Sequence, residues 1–138
     1  MPPFVPLAER IVDAMLASDP HLASDVGEHA YDDRLADWSA DAVAGRVTML
    51  RDAAHALSEV ETDGLPTAER VDHAVLSAMV ERELFELTEV RAHEWNPMVH
   101  NPAPLLHALL ARPFAPADVR LTSIAGRLAA VPDALATA

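Results

Sequence analysis

Apolar residues in this chain recur in steps of three and four, and prolines stand between the runs rather than inside most of them. Phe4, Leu7, Ile11 and Met15 set the pattern at once. That spacing puts side chains on one face of an α-helix and cannot serve a strand, whose faces alternate every second residue. Eleven prolines divide the chain into helix-length pieces, while four glycines are too few for an all-β chain with many tight turns. The apolar fraction is 51% with only 4% aromatic, so the core-forming residues are mostly Ala, Leu and Val, suited to close helix packing. The expectation is an all-α fold: an antiparallel multi-helix bundle of five to six helices.

The first helix is expected over Val5–Ser18. Asp19-Pro20 restarts the chain, with Asp as N-cap and Pro at the first helical position, where its missing N–H costs nothing. The short piece that follows, His21–Val26, ends at Gly27 in a left-handed cap. A polar-aromatic segment runs to Trp38. Ser39 is placed as N-cap of a long helix reaching Val60, with Val43, Val47, Leu50, Ala54 and Leu57 as its stripe and Asp41 in its first turn. Asp63-Gly64 marks a turn. Thr67 is expected to cap a third long helix. Val71, Ala74, Val75, Ala78 and Phe85 fall on one side of it, and Leu76, Val80, Leu84, Leu87 and Val90 on nearly the other. A helix apolar on two faces is expected at the centre of the bundle. Asn96-Pro97 breaks it. A helix with Leu105, Leu106, Leu109 and Leu110 follows Asn101-Pro102-Ala103-Pro104. The last begins after Arg112-Pro113-Phe114-Ala115-Pro116, with Val119, Ile124, Leu128 and Val131 on its inner side, and Pro132 is expected to interrupt it.

At 138 residues there is room for one domain. The chain stops within a helical pattern, at Pro132-Asp133-Ala134-Leu135, so residues 1–138 are expected to form the N-terminal part of a longer protein. With 22 acidic against 10 basic residues the net charge is −12, which repels nucleic-acid phosphate and anionic lipid alike. Neither nucleic acid nor membrane is expected as a partner. No cysteine is present, so disulfides and thiolate chemistry are excluded. Met1-Pro2-Pro3-Phe4 lacks the basic start of a secretory signal, and a cytoplasmic location is expected.

Seven histidines are present: His21, His29, His55, His73, His93, His100 and His107. A zinc-peptidase helix needs two of them four apart, so that both imidazoles reach one ion from one face. None has that spacing. His93-Glu94 begins like the motif, but His100 is seven residues on with Pro97 between, and both histidines read as surface or capping groups. Asp32-Asp33-Arg34 reads as a turn with a local ion pair. Glu81, Glu83 and Glu86 read as solvated residues in the seams of the third long helix; an acid–base role would need their environments to differ. No Gly-x-Ser-x-Gly elbow surrounds Ser18, Ser24, Ser39, Ser58, Ser77 or Ser123. Tyr31, Trp38 and Trp95 either plug the edge of the core, the preferred reading, or line a groove. No catalytic or metal-binding residue is assigned in this chain.

Several stretches together resemble a known family. Gly27-Glu28-His29-Ala30-Tyr31-Asp32-Asp33-Arg34-Leu35 followed by Asp37-Trp38-Ser39 is similar to the N-terminal signature of the bacterial domain-of-unknown-function 885 family. Val71-Asp72-His73-Ala74-Val75-Leu76, Glu83-Leu84-Phe85-Glu86-Leu87, Trp95-Asn96-Pro97 and Asn101-Pro102 follow in that family's order. The resemblance implies a longer helical protein similar to zinc metallopeptidases, whose His-Glu-x-x-His motif lies far downstream of anything in this chain. Zinc is therefore expected only in longer members, and no cofactor in this chain. The resemblance implies a helical scaffold that forms part of a wall around a cleft and is inactive alone. Its partner is then the remainder of a longer chain, with a peptide substrate for the whole. The rival readings are a free-standing interaction module or homodimer, and an enzyme using Glu81, Glu83 and Glu86.

Overall fold

A computed structural model describes residues 3–137, and among them every regular element is helical. The α-helices are α1 (Phe4–Ser18), α2 (Pro20–Val26), α3 (Ala40–Ser58), α4 (Thr67–Phe85), α5 (Ala92–Trp95), α6 (Ala103–Ala111) and α7 (Ala117–Ala136). Six of these have seven residues or more, and α5 is a single turn. The all-α expectation holds. The chain divides into two compact units, one made of the residues up to Met15 with Asp41–Ala92, the other of Leu16–Ala40 with the residues from His93 onward.

In the first unit the stripe Phe4, Leu7, Ile11 and Met15 is buried, as its spacing requires. On α3 the buried stripe is Arg46, Leu50, Ala53 and Leu57: Leu50 and Leu57 are buried as expected, while Arg46 and Ala53 take the places expected for Val47 and Ala54, with Val43 and Val47 half-buried. Arg46 takes a core position because its Nη2 donates to Glu83 Oε1 at 2.7 Å, so the charge enters the core with its counterion. Glu83 is thus not a solvated seam residue, whereas Glu81 and Glu86 are exposed. Pro66, not Thr67, stands at the N-cap of α4, and Thr67 is the first helical residue.

The two-faced pattern of α4 resolves differently from expectation. Leu76, Val80 and Leu87 are buried, but the opposite face, with Val71, Ala74, Val75, Ala78 and Phe85, is exposed throughout. A central helix would bury both. After Phe85 the helix widens into a π-helical turn, Glu86–Val90, and closes on Arg91 in the left-handed conformation at φ 51°. An arginine tolerates that region less well than glycine does, so the turn is held by its surroundings. Arg91 N–H closes it by donating to the Glu86 carbonyl at 2.8 Å.

In the second unit α2 begins and ends as its sequence dictates. Asp19 Oδ1 accepts from the N–H groups of His21 and Leu22 at 3.0 and 3.1 Å, and Gly27 takes φ 90°. Helix α7 departs most from expectation. Pro132 does not interrupt it, and the helix continues to Ala136. This proline sits on the exposed side of α7, one turn from its end, where a lost backbone bond is least disruptive. The inner face of α7 carries Arg120, Ile124, Arg127 and Val131 at steps of four, three and four. Ile124 and Arg127 are buried. Val119 and Leu128, expected inside, are 50% and 53% exposed. Leu121, Ala125, Leu128, Pro132 and Leu135 form a second stripe, displaced by one residue and exposed along its whole length.

Candidate functional site

The second unit is organised around one arginine. Arg127 is fully buried, and its guanidinium is spent largely on main-chain oxygens. Nε donates to the Arg34 carbonyl at 3.0 Å and Nη1 to the Leu105 carbonyl at 3.2 Å. Nη2 donates to the Pro20 carbonyl at 3.3 Å and to Ser24 Oγ at 2.6 Å. One side chain thereby ties α2, the 30–34 turn, α6 and α7. Burial pushes the guanidinium below its ordinary pKa, and the charges of Asp32 and then Asp33 oppose that shift. Gly126 makes room for the turn: a methyl group at that position would stand 3.0 Å from the Asp33 Cβ. Arg120 repeats the device one level along. Its Nη1 donates to the Leu109 and Leu110 carbonyls at 3.0 and 2.8 Å, its Nε to the Ala115 carbonyl at 3.0 Å. These bonds satisfy carbonyls at the C-terminal end of α6 that have no intrahelical donor.

Asp32 is 3% exposed and sits 3.8 Å from the Arg127 Nη2. Ser24 Oγ donates to its Oδ1 at 2.6 Å, and His29 Nδ1 lies 2.8 Å from its Oδ2. Facing a carboxylate oxygen, which only accepts, Nδ1 is the donor in that contact. Phe114 stacks flat on the imidazole, with 3.7 Å between centroids and 6° between planes. Serine, histidine and aspartate are therefore within hydrogen-bonding reach, but in the wrong order for nucleophilic catalysis. A hydrolase places histidine between serine and aspartate. Here the carboxylate is in the middle, so Ser24 donates to Asp32 and the His29 imidazole contacts the carboxylate, not the hydroxyl. The Asp32-Asp33-Arg34 turn does form, with Arg34 Nε 3.8 Å from Asp33 Oδ1, but Asp32 itself belongs to the interior.

A cleft of about 300 Å³ lies beside this network, with Leu35, Trp38, Met98, His100, Leu105 and Leu135 among its walls. Trp38 stacks on His93 at 5.4 Å and meets the edge of His100 at 5.8 Å. His100 Nε2 lies 2.8 Å from the His93 carbonyl and must donate to it. Its Nδ1 is buried and without a hydrogen-bond partner among the described residues. His100 does cap a carbonyl, as its position near a helix end suggested, but His93 is only 10% exposed and is not a surface group. Trp38, half-buried, lines the groove. Trp95 is 66% exposed, and the Arg34 guanidinium lies 5.4 Å over the ring of Tyr31. Asp37 Oδ1 accepts from the Ser39 N–H at 2.8 Å, and hydrogen bonds from the Ser39 backbone and then its side chain draw the carboxyl pKa below the usual range.

Among the described residues no three His, Cys, Asp or Glu side chains converge to hold a metal ion. Histidine–carboxylate pairs occur at His29–Asp32, where His29 is 36% exposed, and on the surface at His21–Asp25, 3.3 Å apart. Sequence reading missed Arg127 and Asp32. The detectable signal was an arginine on a three-four apolar step between Ile124 and Val131.

A family model described as "Bacterial protein of unknown function (DUF885)" matches residues 20–138. No curated protein matches the chain. A solved structure, that of a putative lipoprotein of unknown function from Shewanella oneidensis, is similar with a TM-score of 0.88 at 20% identity. The likeness covers 99% of this chain and 25% of that one, so this chain spans a quarter of the relative's length. No helix among the described residues is long and apolar enough to cross a membrane.

Proposed function

This chain belongs to the bacterial DUF885 family of unknown function, and from that premise we propose that it is a helical scaffold segment that packs against further helices of a longer protein and carries no chemistry alone. The observation that carries the reading is the outer stripe of α7. Leu121, Leu128 and Leu135 recur every seven residues at 51–57% exposure, with Ala125 and Pro132 between them. That is the seam one helix offers to another. The inner face of the same helix is taken by Arg120, Ile124, Arg127 and Val131, so Leu121 and Leu128 have no core of their own to fill, and Leu135 is left on a cleft wall. A relative with the same fold is four times as long, which supplies a source for the covering helices. A zinc-peptidase-like role for the whole, acting on peptides, completes the proposal and rests on the family resemblance; a cytoplasmic site is proposed with it, from the start of the chain, which lacks the basic stretch of a secretory signal.

The rival homodimer reading is weaker. A single helix seam of about four turns falls well short of the roughly 800 Å² per partner that stable association uses. A tethered helix needs less, because linkage raises its effective concentration to about the millimolar range.

The chain lacks cysteine, so Leu128→Cys gives a single thiol whose labelling rate reports its cover. Labelling is expected to be fast in the 138-residue chain and at least about tenfold slower in the product of the complete reading frame. Equal rates, or a reading frame ending at Ala138, would overturn the proposal. Zinc-dependent peptide hydrolysis by the 138-residue chain would overturn its silent part.

A further inference from the structure

The first unit carries a groove that neither the scaffold reading nor the resemblance uses. It runs between α1 and α4 and has a volume of about 440 Å³. Its floor is apolar: Ala8 and Val12 from α1, Val75 and Met79 from α4. Val12 is 39% exposed and Val75 is 53% exposed, so the floor is open to an incoming group. Its rim is acidic: Glu9 and Asp13 from α1 and Asp72 from α4 line it, and no basic residue does.

We infer that this groove is a docking site for a basic amphipathic helix. The groove lies between two helices, and the surface that fits such a trough is a third helix with apolar residues at i, i+3 or i+4, and i+7. On α1 the lining runs from Phe4 to Asp13 and on α4 from Asp72 to Met79, about 14 Å and about 10 Å along the two axes at 1.5 Å per residue. Two turns of a partner fit, which gives two or three anchors. Glu9 and Asp13, four apart, present a row of carboxylates along one wall, and Asp72 stands on the other. Lysines or arginines flanking the partner's apolar stripe would face these groups. Negative flanks would be rejected.

The same charges exclude the competing occupants. A second copy brings a net charge of −12 and no lysine, with its ten arginines scattered singly. An anionic membrane surface is repelled by the rim. The inference stands apart from the scaffold reading, since it concerns another face in another unit and can fail or hold independently.

The test uses the 138-residue chain and a synthetic helical peptide of about 16 residues, with leucines at i, i+3, i+7 and lysines on both flanks. Fluorescence anisotropy is expected to show saturable binding with a Kd on the order of 10–100 µM at low salt. A peptide of the same composition in scrambled order, and one with glutamates replacing the lysines, are each expected to bind at least about tenfold more weakly. Val75→Asp is expected to weaken the first peptide about tenfold or more. The double change Asp13→Asn with Asp72→Asn removes only exposed rim charges, so folding is retained. It is expected to weaken binding several-fold and to flatten its salt dependence. Leu128→Lys on α7 is expected to leave binding unchanged. Equal binding of the scrambled peptide, insensitivity to both groove variants, or no saturation below about 1 mM would each overturn the inference.

Discussion

The two units reach the same end, a folded helical cluster, by opposite means. In the first, Phe4, Leu7, Ile11, Leu50, Leu57, Leu76 and Val80 make an apolar interior, and its buried arginine, Arg46, meets a carboxylate side chain. In the second, Arg127, Asp32 and Ser24 share the interior with Ala23, Leu109 and Ile124, and the arginine is spent mainly on backbone carbonyls. An apolar core is non-directional and tolerates repacking. A polar core fixes which turn meets which helix, because each bond has one geometry, and it fails sharply when a member is removed. Polar residues inside α7 also leave its leucines outside, so the second unit keeps an adhesive face that the sequence would otherwise have buried.

The largest expected difference between the units lies in single-residue deletions. Arg127→Leu leaves Asp32 buried without its counter-charge and frees several carbonyl acceptors, and is expected to cost about 3–5 kcal/mol by urea unfolding. Leu50→Ala in the apolar unit is expected to cost about 3 kcal/mol through the cavity it leaves. A cost below about 1 kcal/mol for Arg127→Leu would show that the polar network is ornamental.

Two glycines sharpen the comparison by sign. Gly45 lies inside α3, where an added methyl group would meet nothing within 4 Å, so Gly45→Ala is expected to stabilise by about 0.5–1 kcal/mol. Gly126 lies inside α7 against Asp33, and Gly126→Ala is expected to destabilise although alanine is the better helix former. Thermal melts of the pair moving in the same direction would mean that the 30–34 turn is not held tightly against α7.

The smallest effect concerns Asp37. Its folded pKa lies below the unfolded value because it accepts from Ser39, so this contribution to stability is present above the unfolded pKa and is lost as pH falls through the folded one. Carboxyl NMR titration should place Asp37 below the ordinary aspartate range, and Ser39→Ala should move it upward. An ordinary midpoint in the parent chain would contradict the Asp37–Ser39 contact.

The stripe of α1 is fully legible in the sequence, since each of its residues is apolar and its burial follows from spacing alone. The caps of α2 are legible for the same reason: Asp19, Pro20 and Gly27 act locally. The inner faces of α3 and α7 are legible only in part: Leu50, Leu57 and Ile124 are buried as expected, but the arginines are not foreseen. A pattern search rejects Arg46 and Arg127 as core residues, so it slides to the nearest apolar set, Val43 and Val47 in one helix and Val119 and Leu128 in the other. The partners that admit Arg127 lie 93 residues away at Arg34, 103 at Ser24 and 107 at Pro20. No local window contains them. The two apolar faces of α4 are visible as faces, but which of them a neighbour covers is not a local property either. Absence of catalytic spacing among the histidines is visible at once, whereas the Ser24–Asp32–His29 order appears only in three dimensions.

Helix α7 must be turned with arginines inward and leucines outward for the scaffold reading to hold. Urea unfolding of Leu128→Lys in the 138-residue chain tests this most directly, because a lysine cannot be buried there unpaired. The expected change is within about 0.5 kcal/mol of the parent, as for a surface position. A loss above about 2 kcal/mol would place Leu128 in a core and contradict the orientation from which the scaffold reading follows.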